Sequence, residues 1–378
     1  MKIHIFIAHM GLGGSERVCV NLANEWAKRD HEVHISVLNL DNDVNTHLLD
    51  KKVSIHELGV SRLRYAAFPM LRYLKKYKPE FILVFGNEMA VIINKLKKLK
   101  LIDVKVIVRV LNNVNISLDK EDNVSPVVEQ YLKAAQKQLA DMEYVVAQCK
   151  DMGEMLVKKG LVGRDKLKVI YNPVSEALLK DVDKLRSDAC ENAGNGAQAD
   201  GEAKNRITFI GRVDPQKQPL QLIEAFEIVV GQSPKARLRI VGDGNLMEQT
   251  KELVDKKKLT DKVIFDGIRK DMDRVYADTD VVILSSAYEG MPNSLIEAIG
   301  CGIPVVSYDC PIGPAEIVED GVNGFLVSLN DIDELAKKTV LALKTSWDSD
   351  IIKATCKKFD VKNIADSYEE IFRACITK

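Results

Sequence analysis

The sequence contains no apolar run of the roughly 20 residues that a membrane-spanning helix needs. Its first residues, Met1-Lys2-Ile3-His4, lack the long apolar segment of a secretion signal and have the pattern of a first β-strand. These two absences remove integral membrane proteins and secreted proteins from the expected classes. We therefore expect the chain to remain in the cytoplasm.

Cysteine and histidine form no pattern that suggests a disulfide framework or a metal site. The seven cysteines are odd in number and contain no C-x-x-C pair, which favours buried or incidental thiols in a reducing compartment. All six histidines lie in the first 56 residues, and none are spaced as a metal-binding pair on a helix. Neither a structural disulfide nor a structural metal is expected.

The formal net charge of −1 conceals an uneven distribution of charge along the chain. Residues 1–170 carry 27 Lys and Arg against 20 Asp and Glu, whereas residues 171–378 carry 27 against 35. The basic first half is suited to an anionic partner. A nucleic acid is a poor candidate, because the second half is acidic and no known nucleic-acid-binding motif is present.

Short apolar runs alternate with amphipathic helical stretches through both halves of the chain, which is typical of βαβ units in a doubly wound parallel sheet. Further helices are predicted at 331–343 and 360–376. The chain therefore belongs to the α/β class. The predicted strands lie near 2–8, 33–38, 81–85, 104–110, 143–147 and 167–170 in the first half, and near 206–210, 236–241, 262–265, 280–284, 304–307 and 324–327 in the second.

The two alternating sets define two domains, at residues 1–172 and 206–358. Residues 173–205 form the connection between them. Within the connection, the segment from about Asp181 to Asn205 is rich in small and polar residues. We interpret this segment as a flexible surface loop.

The stretch from Ser285 to Ala298 carries the clearest functional signal. It follows the apolar strand 281–284, is broken by glycine and proline, and continues into a helix that Asn293 or Ser294 can cap. Exposed N–H groups at residues 293–295 favour an anion, while the carboxylates of Glu289 and Glu297 suit hydroxyl donors. A nucleotide sugar carries phosphate between two groups of hydroxyls and satisfies all of these residues together.

Two other loops follow strands and add groups that suit phosphate. Gly211–Gln218 places Arg212 and Lys217 after a strand of the second domain. Gly11–Glu16 opens the first helix, with Ser15 expected as its N-cap and Glu16 in its first turn. This loop is not the G-x-G-x-x-G of dinucleotide-binding proteins.

The spacing E-x7-E within S-x-x-E-G-x-P-N-x-x-x-E-A, together with the two loops, resembles the retaining family-4 glycosyltransferases of the GT-B fold, of the bacterial surface-polysaccharide type. The resemblance implies two Rossmann-like doubly wound domains facing a central cleft, with a final helix at 359–378 that crosses back to the first domain. It implies transfer of a hexose or N-acetylhexosamine to a lipid-linked glycan, as in O-antigen or capsule synthesis. The segment 311–317 resembles members that use UDP-linked sugars.

The resemblance also implies roles for individual residues. Arg212 and Lys217 would grip the donor diphosphate without a metal or other cofactor, Glu289 would bind the donor sugar, and Glu297 would hold the ribose hydroxyls. These three positions, Arg212, Lys217 and Glu289, are the expected catalytic residues. The expected donor-binding residues are Gly13, Gly14, Ser15, Ile268, Gly290, Met291, Asn293, Ser294, Leu295 and Glu297.

The acceptor side departs from the family pattern. Many relatives place a histidine or an acid after the strand at 104–110, where this chain has Arg109, Asn112 and Asn113. These three residues are the candidates for acceptor contact. His9 is interpreted as structural rather than catalytic.

Basic segments at 62–78 and 95–100 contain lysine and arginine interleaved with tyrosine, phenylalanine and leucine, and no acid. Such a surface suits the anionic inner face of the cell membrane. A solvated helix face explains the same pattern, and both interpretations stay open. As alternatives to a transferase, the sequence leaves a nucleotide-sugar epimerase of the same fold and a non-catalytic sugar-nucleotide-binding subunit.

Overall fold

The computed structural model describes residues 1–111, 138–194 and 205–377, apart from Leu12 and Asn42. The chain divides into two compact units. Unit 1 contains Met1–Pro173 and Val361–Lys378, and unit 2 contains Val174–Asp360. Within the described ranges, no helix is both long and apolar enough to cross a bilayer.

Unit 1 is built on a parallel sheet whose described strands number seven, in the order β3-β2-β1-β4-β5-β6-β7. The central strand Phe81–Phe85 is buried along its whole length, as expected for a strand covered by helices on both faces. The predicted strands of this half are confirmed to within two residues at each end. The strands are β1 (Lys2–Phe6), β2 (Glu32–Val37), β3 (Ser54–Glu57), β4 (Phe81–Phe85), β5 (Lys105–Arg109), β6 (Tyr144–Ala147) and β7 (Leu167–Val169).

Helices cover the sheet of unit 1. Apolar side chains at helical spacing turn one face of each helix to the core, as in the first helix, where Val18, Leu22 and Trp26 are buried. The described helices of this unit are α1 (Gly14–Lys28), α2 (Ala67–Tyr77), α3 (Asn87–Lys98), α4 (Lys150–Lys158) and α13 (Val361–Thr377).

The last helix, α13, belongs to unit 1 although the whole of unit 2 precedes it in the sequence. Its Tyr368 and Phe372 pack edge-on or tilted against the Trp26 ring, at 5.8 Å and 5.3 Å between centroids. Phe372 also stacks on Phe81 of the sheet at 4.6 Å. Burial of a phenylalanine stabilises by about 1.5–3 kcal/mol. The apolar face of this helix is therefore part of the unit 1 core.

Unit 2 contains a second parallel sheet, with six described strands in the order β10-β9-β8-β11-β12-β13. These strands are β8 (Arg206–Ile210), β9 (Arg237–Val241), β10 (Val263–Gly267), β11 (Val281–Leu284), β12 (Val305–Tyr308) and β13 (Gly324–Val327). The described helices are α5 (Glu176–Gly194), α6 (Pro219–Gln232), α7 (Met247–Lys256), α8 (Met272–Ala277), α9 (Asn293–Gly300), α10 (Pro314–Ile317), α11 (Ile332–Lys344) and α12 (Ser349–Thr355). The predicted α/β class with two doubly wound sheets is confirmed.

The predicted flexible loop at 181–205 is wrong for its first part. Residues up to Gly194 continue the helix α5, and residues 195–204 lie outside the described residues. Leu178 and Val182 lie one helical turn apart and are both buried, which holds the start of this helix on unit 2. The sequence pattern also gave no strand at β3 and no helix at α12, because both are short and β3 is only half-buried.

Candidate functional site

The site predicted in unit 2 lies where the strand order of its sheet reverses. β8 neighbours β11 although two strands separate them in the sequence. Because all strands are parallel, the loops after β8 and β11 leave the same edge side by side. Ligands of open α/β sheets bind at such a point, outside the carboxyl ends of the strands.

Hydrogen bonds join these two loops directly. The Ala287 N–H donates to the Gln216 carbonyl at 2.8 Å, and the Gln216 side-chain amide donates to the Tyr288 carbonyl at 3.0 Å. The Ser285 hydroxyl donates to the Lys217 carbonyl at 2.8 Å. The 211–218 loop and the 285–292 loop are therefore one structural unit.

Lys217 and Glu289 form an ion pair across the joined loops. The Lys217 Nζ lies 2.6 Å from Glu289 Oε1, and the side chains are only 12% and 8% exposed. Attraction between charges is stronger at such depth than in water, but each charge also depends on its partner, since an unpaired buried charge is costly. The structure thus brings two of the three predicted catalytic residues into contact.

Arg212, the third predicted catalytic residue, lies on the more exposed side of the same loop. Its guanidinium is 3.2 Å from Asp214 Oδ2 and donates to Gln216 Oε1 at 3.0 Å, while the side chain is 64% exposed. Asp214 also accepts from the Lys217 N–H at 3.2 Å and caps the short helical turn that carries Lys217. The two cations of the loop are therefore positioned by the same carboxylate.

Glu297 lies in the helix α9, one turn from its start. Its carboxylate accepts a hydrogen bond from the Tyr276 hydroxyl at 2.7 Å, and both side chains are buried. The helix begins at Asn293 with Pro292 at the N-cap position and no side-chain cap hydrogen bond, so the prediction that Asn293 or Ser294 caps it is wrong.

The other predicted donor-binding residues of unit 2 differ in their accessibility. Ile268 follows β10 and is half-exposed, Asn293 and Ser294 are half-buried, and Gly290 and Met291 are buried beside Glu289.

The prediction of exposed N–H groups at residues 293–295 is wrong for Leu295. Its side chain is fully buried, and its N–H donates to the Pro292 carbonyl at 3.2 Å. The first turn of α9 closes tightly behind the proline, so Leu295 supports the helix from the core side.

The segment after β12 packs directly on the Glu289 loop. Gly313 has a φ of +101°, and a Cβ there would lie 2.6 Å from the Gly290 carbonyl oxygen. A side chain at this position is excluded both by the backbone conformation and by the close approach. Gly313 thus fixes the 311–317 segment against the loop that carries Glu289.

In unit 1, the predicted glycine loop begins helix α1 at Gly14, with Gly13 at the N-cap position. The Ser15 hydroxyl donates to the buried Glu16 carboxylate at 2.6 Å rather than capping the helix, so the capping prediction is wrong. His9 Nδ1 lies 2.9 Å from Glu16 Oε1, and this hydrogen bond raises the pKa of His9 above 6.5. Gly13 and Gly14 are exposed.

Arg109 does not face the surface of unit 1. It is 1% exposed and donates to the Tyr368 hydroxyl and the Asn172 side-chain carbonyl. These partners lie on the last helix and on the segment that ends unit 1, so Arg109 joins three distant parts of the chain. This placement corrects its predicted acceptor-side role to a structural one; Asn112 and Asn113 lie outside the described residues.

The basic segment 62–78 includes the helix α2, whose inner face is buried on Met70, Tyr73 and Leu74. Its outer surface combines exposed cations with two exposed rings, Tyr65 at 58% and Phe68 at 73%. The second basic segment, 95–100, ends α3 and is followed by the exposed Leu101.

Gln216 and Tyr276 are parts of the site that no prediction from the sequence included. Gln216 lies within the 211–218 motif, between Arg212 and Lys217 in the sequence, and this position could have indicated that it belongs to the site. Tyr276 lies in α8 outside any motif, and its contact with Glu297 depends on tertiary packing. No local pattern identifies such a residue.

Two family descriptions match the chain. "Glycosyltransferase Family 4" matches residues 12–178, and "Glycosyl transferases group 1" matches residues 196–358. Together they cover most of both units.

The sequence identity to individual relatives is low. The chain is 28% identical over 259 residues to the uncharacterized glycosyltransferase MJ1059 of Methanocaldococcus jannaschii, covering 66% of this chain and 61% of that protein. It is 25% identical over 384 residues to the GalNAc-alpha-(1->4)-GalNAc-alpha-(1->3)-diNAcBac-PP-undecaprenol alpha-1,4-N-acetyl-D-galactosaminyltransferase of Campylobacter jejuni, covering 97% of each chain. Among solved structures, Anabaena Alr3699/HepE in complex with UDP and glucose superposes with a TM-score of 0.75 at 20% identity, over 99% of each chain.

Proposed function

Because the chain belongs to the family-4 glycosyltransferases of the GT-B fold, we propose that it transfers a hexose or N-acetylhexosamine from a nucleotide sugar to a lipid-linked glycan, retaining the anomeric configuration. The observation that carries this proposal is the joined pair of loops in unit 2. They hold Lys217 and Glu289 in contact and Arg212 beside them at the strand-order reversal.

Each group has a role that suits its chemistry. Arg212 is exposed and offers a planar fork of donors for phosphate oxygens. Lys217 has three donor hydrogens, so it can hold a diphosphate oxygen without leaving Glu289. Glu289 then accepts a hydroxyl of the donor sugar, and Glu297 accepts hydroxyls of the ribose.

The two cations stabilise the negative charge that develops on the departing nucleoside diphosphate. Preorganised charge aimed at a leaving group is a large contribution to catalysis in sites of low polarity. The leaving phosphate takes the proton of the attacking hydroxyl, so the reaction requires no side-chain base. We propose that this charge stabilisation operates without a metal ion.

The nature of the substrates is supported by relatives. Anabaena Alr3699/HepE is described with UDP and glucose, which favours a UDP-linked donor here. The Campylobacter jejuni relative is named for a glycan on a PP-undecaprenol carrier, which favours a lipid-linked acceptor. The product would serve a surface polysaccharide.

A lipid-linked acceptor places the enzyme at a membrane surface, and we propose that the segments 62–78 and 95–100 of unit 1 dock on the inner face of the cell membrane. Exposed rings flanked by lysine and arginine suit an anionic interface.

Flotation with vesicles containing phosphatidylglycerol tests the proposed docking on the membrane. Phe68→Ser should reduce binding, the unit 2 surface variant Lys235→Glu should not, and no binding of the unmodified protein at physiological salt would refute the docking.

The proposed activity is tested by incubating the full chain with UDP- and GDP-sugars and a polyprenyl-diphosphate-linked N-acetylhexosamine. Acceptor-dependent release of UDP, unchanged by EDTA, with an α-linked product from an α-linked donor, is the expected result. Lys217→Met should lower turnover by roughly 100-fold or more, as removal of one charge-stabilising group does elsewhere. Sugar conversion without acceptor would favour an epimerase, and absence of release with every donor would refute the proposal.

A further inference from the structure

The Tyr276 side chain has a contact that the proposed reaction does not use directly. Tyr276 lies in α8 and is fully buried, and its hydroxyl donates to Glu297 Oε2 at 2.7 Å. This is the length of a hydrogen bond strengthened by a charged acceptor. Glu297 is itself only 8% exposed, so the contact is shielded from water.

We propose that Tyr276 is a positioning residue that holds the Glu297 carboxylate in the orientation needed to accept ribose hydroxyls, and that it thereby sets the preference for ribonucleotides over 2′-deoxyribonucleotides. This inference rests on the proposed role of Glu297 in donor binding. Tyr276 would touch Glu297 and not the nucleotide.

The chemistry of a carboxylate supports this assignment. An ionised carboxylate only accepts hydrogen bonds, and its two oxygens together offer about four lone-pair sites. The hydrogen bond from Tyr276 therefore occupies only part of this capacity. A glutamate side chain also loses considerable rotamer freedom when a ligand orders it. Since Tyr276 fixes the carboxylate before binding, this cost falls on folding rather than on the nucleotide.

The two helices that carry the pair are anchored by one cation. Arg186 of α5 donates to the Tyr276 carbonyl at 3.1 Å and the Thr279 carbonyl at 3.2 Å, at the end of α8. It also donates to the Cys301 carbonyl at 2.8 Å, just beyond the end of α9. A cation is favoured at the carboxyl end of a helix, where the carbonyl groups lack helical partners. Arg186 therefore fixes α8 and α9 relative to each other, and with them the Tyr276–Glu297 distance.

The chain offers a matched control for the tyrosine hydroxyl. Tyr308 of β12 is also fully buried in unit 2, and its hydroxyl donates to the Gln221 side chain at 3.0 Å. Tyr276→Phe and Tyr308→Phe each remove one buried hydroxyl with its contacts, which for Tyr276 include a longer one of 3.5 Å to the Ser294 carbonyl. Only the first changes a contact of Glu297.

The experiment measures the affinity of the full-length protein for UDP and for 2′-deoxy-UDP by calorimetry. The unmodified protein should prefer UDP. Tyr276→Phe should weaken UDP binding by about tenfold, since a hydrogen bond to a charged group is lost, and should lower the ratio of the two affinities. Tyr308→Phe should leave the ratio unchanged. In turnover, Tyr276→Phe should raise KM for the donor far more than it lowers kcat.

The outcomes separate this inference from the proposed function. If Glu297→Gln abolishes the preference for UDP but Tyr276→Phe leaves it intact, Tyr276 does not position Glu297, and the proposed function stands. If Glu297→Gln leaves the preference intact, the ribose role of Glu297 itself is refuted. Should Tyr276→Phe fail to fold, Arg186→Lys, which loosens the anchor of both helices, must lower the ratio, and an unchanged ratio there overturns the inference.

Discussion

Lys217→Met tests whether the buried ion pair of unit 2 is formed before any substrate binds. The substitution removes the ammonium group and keeps most of the apolar stem. The Glu289 carboxylate is 8% exposed and lies 2.6 Å from the Lys217 Nζ in the unmodified protein. In the variant it lacks this partner. Removing one member of a buried pair costs about 3–5 kcal/mol in other proteins, because the remaining charge stays desolvated.

The slight exposure of both side chains lowers this expectation to about 2–3 kcal/mol, since some water reaches the remaining charge. The double variant Lys217→Met/Glu289→Gln removes both charges and should be destabilised by much less than the sum of the single variants. The coupling energy should be about 1.5 kcal/mol or more. The exposed pair Lys251–Glu248 at 2.8 Å is the control, because Lys251→Met should cost no more than about 0.5 kcal/mol.

Urea unfolding of unit 2 is the assay. The chain has two tryptophans, Trp26 in unit 1 and Trp347 in unit 2. In a Trp26→Phe background, the fluorescence of Trp347 reports unit 2 alone, which avoids the mixture of transitions expected of a two-unit protein. A Lys217→Met destabilisation no larger than that of Lys251→Met, or strictly additive single variants, would refute the buried pair.

Two further predictions concern histidines of unit 1. The hydrogen bond to Glu16 raises the pKa of His9, so NMR should give His9 a titration midpoint above 6.5, and Glu16→Gln should lower that midpoint. The stability that this bond contributes should be lost as pH rises through the raised pKa. A midpoint at or below 6.5 would contradict the contact. Burial and the neighbouring His34 lower the pKa of His4 from 6.5 to about 4, so stability should fall as pH drops from 6.5 towards 4. Urea unfolding at pH 7 and pH 5 measures this loss as a difference in unfolding free energy. His4→Phe should reduce the difference, whereas His47→Asn, at an exposed position, should not. An equal difference in both variants would contradict the burial of His4.

The fold was predictable where strands are continuous apolar runs. Phe81–Phe85 and Val281–Leu284 are buried along their whole length, so the chemistry of each residue agrees with its place in a covered parallel sheet. The strand Ser54–Glu57 was not predictable, since it lies at the edge of the described sheet and contains only one apolar residue, Ile55. Edge strands carry less of the hydrophobic signal on which prediction depends.

The site was predictable as far as local sequence determines it. The 211–218 and 285–298 motifs follow strands, and their shared sheet edge brings Lys217 and Glu289 together. Contacts made across the fold left no such signal. Arg109 resembles a surface cation in the sequence, and only the packing of Asn172 and Tyr368 around it shows that it is buried.

Helix starts were the least predictable local feature. Asn293 and Ser15 are both of types that favour capping, yet Pro292 and Gly13 occupy the N-cap positions. In the first helix, the buried Glu16 carboxylate accepts the Ser15 hydroxyl instead. The side chain of the next residue has thus replaced the capping interaction that the sequence favours.

A crystal structure of the protein with bound UDP tests the central claim most directly. The claim predicts the diphosphate within hydrogen-bonding distance of Arg212 and Lys217, and the ribose hydroxyls on the Glu297 carboxylate. UDP bound away from the joined 211–218 and 285–292 loops, or bound there with its ribose turned away from Glu297, would contradict it.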